Sequence, residues 1–363
     1  MKKWITLFLI LALTIAMCLS LTACSTEEFE LALITDVGTI DDGSFNQGSW
    51  EGLKQYADEN NISHKYYQPA AKSDDDYLET IELAVKGGAK LIVTPGFLFS
   101  KSVFLAQDQF PDIKFVFVDG LPNNGDWDNL VEKVGSNTVS LFYAEEQSGF
   151  LAGYAAVKDG YRELGFMGGM AVPAVVRFGH GYVQGAKLAA EELRLEDGAI
   201  RINYYYTGDF VADPAITTRA AAWYNDGIEV IFACGGAISD SIWAAAQDAD
   251  KKTIGVDVDQ SHLSNTVITS AMKGLTASVY DAVKMYYDGN FPGGQELIFD
   301  AANAGVGLPM ANSRFNTFTQ ADYNDIFSRL VSGAVTVDGD TVKQVMDFDG
   351  GVIFINDQGG RGQ

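Results

Sequence analysis

Two stretches of this sequence end alike: "FVFVDG" presents Asp119 and "IGVDVD" presents Asp257, each after a β-rich apolar run. A pair of carboxylates can serve acid–base catalysis or accept charge-assisted hydrogen bonds from vicinal hydroxyls. No partner for catalysis accompanies them. There is no P-loop and no G-x-S-x-G, and the three histidines, His64, His180 and His262, are too scattered for a zinc or iron site. "GHGYVQG" at 179–185 has the spacing G-x-G-x-x-x-G instead of a dinucleotide fingerprint, and the strand after it, "RINYYYTG", lacks the acidic residue that would hold a ribose. The pattern favours binding, with no catalytic residue, metal or cofactor.

Aromatic rings stand near these carboxylates in the pattern. In "DDGSFNQGSWEGL", Ser44 and Gln47 have capping-box spacing, and Trp50, Leu53, Tyr56 and Ala57 recur on one helical face. Phe45 and Asn46 then occupy the first turn, where a ring lies at the surface and needs a cover. The same F-x-x-G-x-x-x-G spacing runs from Phe45 through Gly48 and Gly52, and from Phe178 through Gly181 and Gly185. An alternative stays open, in which these glycines only allow close packing and both phenylalanines are core.

The elements that must hold these residues alternate along the chain. "LALITD", "AKLIVTPG", "KFVFVDG", "LGFMGGM", "RINYYYTG", "EVIFACGG" and "KTIGVDVD" are short strand-like runs separated by helix-compatible segments. Such alternation predicts parallel sheets with crossover helices, whose ligands bind beyond the carboxyl ends of the strands. Both halves pass from a Phe-bearing helix to a strand ending in Pro-Gly or Gly-Gly, then to one ending in Val-Asp. Two similar lobes of this kind place two rings and two carboxylates around one cleft. The length of 363 residues suits two lobes, and 47% hydrophobic residues suit a globular chain. A net charge of −23 disfavours nucleic acid as a partner, because no basic cluster is present.

The N-terminus has "MKK", an apolar run, and "LTAC" followed by "STEE". This resembles the lipobox of a bacterial lipoprotein, with residues 1–23 as signal peptide and Cys24 as the lipidated residue; an uncleaved membrane anchor is the alternative. Cys18 leaves with the signal, so only Cys234 remains in the folded part and no disulfide can form within the chain. Cys234 reads as a small buried residue.

"TDVGTIDDGSFNQGSWEG", "FVFVDG", "FGHGYVQGAK", "IGVDVDQ" and "ITSAMKG", in this order behind a lipobox, resemble the basic membrane lipoprotein family of purine-nucleoside-binding proteins. The resemblance covers roughly Leu31 to Phe315, and D-D-x-S-F-N is its most specific motif. It implies an α/β, two-lobed periplasmic-binding-protein type 1 fold serving an ABC permease and ATPase on the extracytoplasmic side of the cell membrane, here as a monomer. Phe45 and Phe178 would clamp a purine, while Asp36 and Asn46 would read its edge. Asp119 and Asp257 would accept from ribose, Lys273 would bind ligand beside Asp257, and Gly235 would let backbone approach closely. The ligand could be guanosine, inosine or adenosine. Residues 24–29 form an anchor linker, 30–138 with 258–288 the N-terminal lobe, 139–257 with 289–355 the C-terminal lobe, and 356–363 a flexible tail. "GAVTVDGDTVKQVMDFDGGVIFINDQ" reads as a hairpin and a strand. The rival readings are a sugar or autoinducer receptor of the same fold, a nucleoside-processing enzyme using Asp36 and nearby acids, and a sensor instead of a transport component.

Overall fold

The structure is a computed structural model that describes residues 28–360. The signal segment 1–23, Cys24 with most of the linker, and residues 361–363 lie outside the described residues. In chain order the first strands are β1 (Leu31–Ile34), β2 (His64–Tyr67), β3 (Leu91–Pro95), β4 (Lys114–Val118), β5 (Thr138–Tyr143) and β6 (Glu163–Gly168). They are followed by β7 (Ile200–Tyr206), β8 (Val230–Cys234), β9 (Lys252–Asp257), β10 (Val267–Lys273), β11 (Gln295–Phe299), β12 (Val306–Gly307) and β13 (Ile353–Asp357). The α-helices are α1 (Phe45–Asn60), α2 (Asp74–Lys86), α3 (Ser100–Gln109), α4 (Glu145–Lys158), α5 (Pro173–Glu192), α6 (Pro214–Asn225), α7 (Ile238–Asp248), α8 (Leu275–Tyr287) and α9 (Gln320–Val331).

The expected alternation produces two sheets. One has the order β11-β5-β4-β3-β1-β2 and the other β12-β10-β9-β8-β6-β7-β13. The run β5-β4-β3-β1-β2 in the first therefore recurs as β10-β9-β8-β6-β7 in the second, which is the repeat seen in the sequence. All pairings are parallel except β10 with β12. Central strands such as "LALI" in β1 and "VIFAC" in β8 are buried along their whole length, as continuous apolar runs must be when helices cover both faces. Helix starts follow local chemistry. Asp74, Asp75 and Asp76 lie in the first turn of α2, where the helix dipole favours negative charge, and Ser73 accepts from the Asp76 amide.

The chain divides between the sheets differently from the boundaries expected above. β5 (residues 138–143) belongs to the first sheet, while α4 directly after it packs on α5 against the second. β10 lies in the second sheet, not in an N-terminal block 258–288, and α8 after it packs on α1. β11, expected in the C-terminal lobe, returns to the first sheet beside β5. Periodicity identifies a strand or a helix, but tertiary pairing alone decides which sheet the strand joins. The three crossings are bonded together: the Ala144 amide donates to the Phe299 carbonyl at 2.9 Å and the Gly274 amide to the Gly305 carbonyl at 2.8 Å.

The C-terminal hairpin does not form. β13 is a single edge strand parallel to β7, preceded by a short 3-10 turn at Val345–Phe348. Residues 356–358 are not a free tail either, since Asn356 and Asp357 lie in β13 and the Gln358 side chain accepts from Arg219 and Trp223. Among the described residues no helix is long and apolar enough to cross a membrane.

The repeated glycines pack helix on helix, not helix on sheet. A Cβ on Gly181 or Gly185 of α5 would run into the backbone of α4, and one on Gly52 of α1 into the backbone of α8. These contacts carry Phe45 and Phe178 to the space between the sheets.

Candidate functional site

Asp36, Phe45, Asn46, Asp119, Phe178, Gly235, Asp257 and Lys273, the candidates from the sequence, all line one cleft at the carboxyl ends of β1, β4, β8 and β9. The space among these residues, counted out into open solvent at its mouth, is about 680 Å³. Ser44 at the start of α1 donates to Asp257 at 2.6 Å, and the Gln260 side chain donates to the Gly43 carbonyl at 3.0 Å, so the two halves already touch across it.

The helix start that carries Phe45 is built by a residue the motif spacing did not indicate. Asp42 accepts from the backbone amides of Ser44, Asn46 and Gln47 and from the Asn46 side chain. Ser44, turned toward Asp257, makes no capping bond, and Gln47 accepts from the Gly43 amide, so the expected capping box is absent. Burial pushes the Asp42 carboxyl up to about 6.

Asn46 is fully engaged within the chain. Its amide nitrogen donates to Asp36 at 2.9 Å and to Asp42 at 3.0 Å, and its oxygen accepts from the Asp36 amide at 3.2 Å. An amide nitrogen has two protons, so none is left to donate. Asn46 therefore fixes Asp36, whose Oδ1 also accepts from the Gly38 amide at 2.8 Å. Among the described residues, Oδ2 of Asp36 accepts no hydrogen bond. Burial raises the Asp36 pKa above its ordinary value.

Asp119 and Asp257 share more than their Val-Asp setting. Both have left-handed backbone, with φ of 60° and 67°, a conformation that non-glycine residues seldom take outside constrained sites. Lys273, at the end of β10, is buried and bridges them: Nζ donates to Asp119 Oδ2 and lies 3.5 Å from Asp257 and 3.4 Å from Glu145. Burial opposes the ammonium charge, yet Asp119, Asp257 and Glu145 hold the lysine well above its ordinary pKa. Burial, reinforced by Glu145 and opposed by Lys273, pushes Asp119 up to about 7. Asp119 Oδ1 is buried without a hydrogen-bond partner among the described residues.

Lys273 Nζ also stands 4.6 Å from the centre of the Phe45 ring and 5.3 Å from that of Phe178. The two rings differ in setting. Phe45 is half-buried, whereas Phe178 is 1% exposed and meets Phe232 edge-on at 5.9 Å. At Gly235 the close approach is to the chain itself, because a Cβ there would lie 2.9 Å from the Gly169 amide nitrogen. Cys234 is buried as expected, and burial holds its thiol well above the ordinary range.

Sequence reasoning missed Asp42, Phe97, Phe210 and Cys234 as lining residues. Asp42 was visible as the second acid of D-D-x-S-F-N; Phe97 and Phe210 lie outside the repeat and had no signal. The chemistry of the cleft is thus four aromatic rings, Phe45, Phe97, Phe178 and Phe210, with buried carboxylates that have unoccupied oxygens and one cation already matched by three acids. Such a site favours a neutral, partly aromatic ligand rich in hydrogen-bond donors.

Similarity to known proteins agrees with this architecture. The profile of the Bmp family, described as "ABC transporter substrate-binding protein PnrA-like", matches residues 29–339. The ABC transporter nucleoside-binding protein BmpA of Lactococcus lactis subsp. cremoris is 32% identical over 309 residues, covering 79% of this chain and 83% of that one. The CD4+ T-cell-stimulating antigen of Listeria monocytogenes is 26% identical over 336 residues, covering 86% of this chain and 89% of that one. A solute-binding protein of an ABC transporter system from Aeropyrum pernix superposes with a TM-score of 0.73 at 20% identity, covering 86% of this chain and 94% of that one. With its doubled sheet, its interlobe cleft and a family match over most of its length, the chain belongs to the basic membrane protein family of PnrA-like ABC transporter substrate-binding proteins.

Proposed function

We propose that this protein captures a purine nucleoside, guanosine, inosine or adenosine, and delivers it as a monomer to an ABC permease and ATPase from the extracytoplasmic face of the cell membrane, where lipid on Cys24 anchors it. The observation that carries this reading is the meeting of Phe45 and Phe178 with Asp36, Asp119 and Asp257 in one cleft. The rings offer stacking for a base, worth roughly 1–3 kcal/mol per ring. Asp36 Oδ2 offers an acceptor to base N–H groups, and Asp119 with Asp257 to ribose hydroxyls. Excess negative charge disfavours a phosphate, so a nucleoside fits better than a nucleotide. The printed name of the Lactococcus relative supports the ligand class.

Calorimetry and thermal unfolding test it. Each purine nucleoside, at 100 times its Kd, adds roughly 2.7 kcal/mol to the folded state, and free ribose adds nothing because it cannot fill the space between the rings. Stabilisation by ribose or another free sugar, with no response to nucleosides, replaces this reading with a sugar receptor. Release of free base from inosine replaces it with an enzyme. For the anchor, metabolic fatty-acid labelling is lost in Cys24→Ser; label that persists there removes the lipoprotein assignment.

A further inference from the structure

Among the described residues, Glu145, which follows β5 and opens α4, is the one buried acid beside the cleft cation that does not line the cleft. It is 0% exposed, and each of its oxygens faces a different cation. Oε2 accepts from Arg177 Nε at 2.6 Å, and Oε1 lies 3.4 Å from Lys273 Nζ. Arg177 immediately precedes Phe178 on α5, and Lys273 stands against both phenylalanine rings. Glu145 thus ties the residue next to one ring to the cation next to both. We propose that Glu145 is the positioning residue of the cleft, holding Lys273 and Arg177 so that Lys273 binds only Oδ2 of Asp119 and leaves Oδ1 for a ligand hydroxyl. The inference rests on the nucleoside reading for its ligand, though not for its geometry.

Charge balance explains why an acid is needed at this place. Asp119 faces Lys273 from β10, Glu145 from α4 and Arg177 from α5, with Asp257 of β9 and the Tyr143 hydroxyl of β5 close by. Without Glu145 the two cations would have to be matched by Asp119, Asp257 and the more distant Glu146, which lies 3.9 Å from Arg177 Nε. Lys273 and Arg177 would then draw on both Asp119 oxygens, and a buried oxygen taken by a cation is lost to the ligand. Burial raises the Glu145 carboxyl, but Arg177 and Lys273 outweigh it and hold the group below its ordinary pKa, so Glu145 stays charged throughout the neutral range. Burial pushes both Asp119 and Glu146 up to about 7, and Glu145 is a like charge that raises each of them, so the carboxyl 13C shift of Asp119 itself is the readout.

The test compares wild type, Glu145→Gln and Arg177→Gln. Inosine binding is followed by calorimetry from pH 5.5 to 8.5, and Asp119 ionisation by the carboxyl 13C shift without ligand. In wild type, affinity rises with pH through about 7 as Asp119 becomes a full acceptor. Glu145→Gln weakens binding about tenfold and moves the Asp119 inflection to lower pH. Arg177→Gln, which removes a positive neighbour, moves it to higher pH. A uniform loss of affinity with the inflection unmoved is what a merely structural role gives, and it overturns the proposal. If Glu145→Gln does not fold, the Arg177→Gln inflection decides alone, and no movement there overturns it too. If wild type binds no nucleoside, the ligand reading fails, and the 13C titration still decides the role of Glu145.

Discussion

In the crossing of α4 with α5, a Cβ on Gly149 would lie 2.1 Å from the Phe178 carbonyl oxygen, and one on Gly181 2.0 Å from that of Glu146. Gly153 and Gly185 repeat the arrangement one turn on, against Tyr182 and Phe150 at 2.0 and 1.9 Å. In the equivalent crossing of α1 with α8, Gly52 meets the Thr276 carbonyl at 2.3 Å, but Gly48 meets only the side chains of Val258 and Leu275, at 2.9 and 3.1 Å. The first crossing is backbone on backbone from both sides; the second has one such contact and one cushioned by side chains that can turn. One motif therefore holds Phe178 in a fixed frame and Phe45 in a more compliant one, consistent with the full burial of the former alone.

Truncating the rings breaks this comparison most strongly. Phe178→Ala leaves a cavity against Phe232 and costs about 3–5 kcal/mol of folding stability by chemical denaturation. Phe45→Ala leaves stability nearly unchanged and shows its effect in calorimetry, as about 1–3 kcal/mol of nucleoside affinity. Equal stability losses would erase the distinction between the two frames. Next come the glycines. Overpacking typically costs 1–3 kcal/mol, and Gly185→Ala falls at the top of that range because carbonyl backbone cannot move aside, while Gly48→Ala falls at the bottom. A larger loss for Gly48→Ala reverses the assignment of the rigid side.

The smallest effect is in pH. Asp42 at the start of α1 is pushed up to about 6 by burial, and Glu146 on α4 to about 7 by burial and by Glu145. Their ordinary values are 3.8 and 4.5, so across the interval the folded state holds more protons than the unfolded one. Stability from these groups is then greatest at low pH and declines as pH rises from about 4 through 7. Glu146→Gln removes its share of that decline, so its gain in stability over wild type is small at pH 5 and grows steadily to pH 8. Identical thermal profiles for Glu146→Gln and wild type show that Glu146 has no share in the decline.

Much of the cleft was legible because its residues sit at places that local sequence marks: a helix mouth for Phe45, strand ends for Asp119 and Asp257, and a strand–helix junction for Lys273. The roles within it were less so. Asn46 was expected to read a ligand edge together with Asp36, and only the fold shows both its amide protons taken by Asp36 and Asp42. Ser44 was expected to cap α1; Asp42 does so, and Ser44 bonds Asp257, 213 positions away. Glu145 and Arg177 gave no signal, because "EE" after a strand reads as an ordinary acidic helix start and their meeting depends on α4 changing lobes. That change of lobe is itself invisible to periodicity.

The three crossings carry a mechanical consequence. Tyr143 stacks on Phe299 at 5.4 Å, Lys273 pairs with Val306, and Ser148 donates to the Met272 carbonyl at 3.0 Å, so the connections are stitched side by side into a single ribbon. A joint of three stitched strips bends across its width far more readily than it twists or slides. The relative placement of the lobes is then described by one angle, and a partner protein touching both lobes reads that angle as a single number. Lys273 belongs both to that ribbon and to the lining of the cleft, so a ligand in the cleft touches the joint itself.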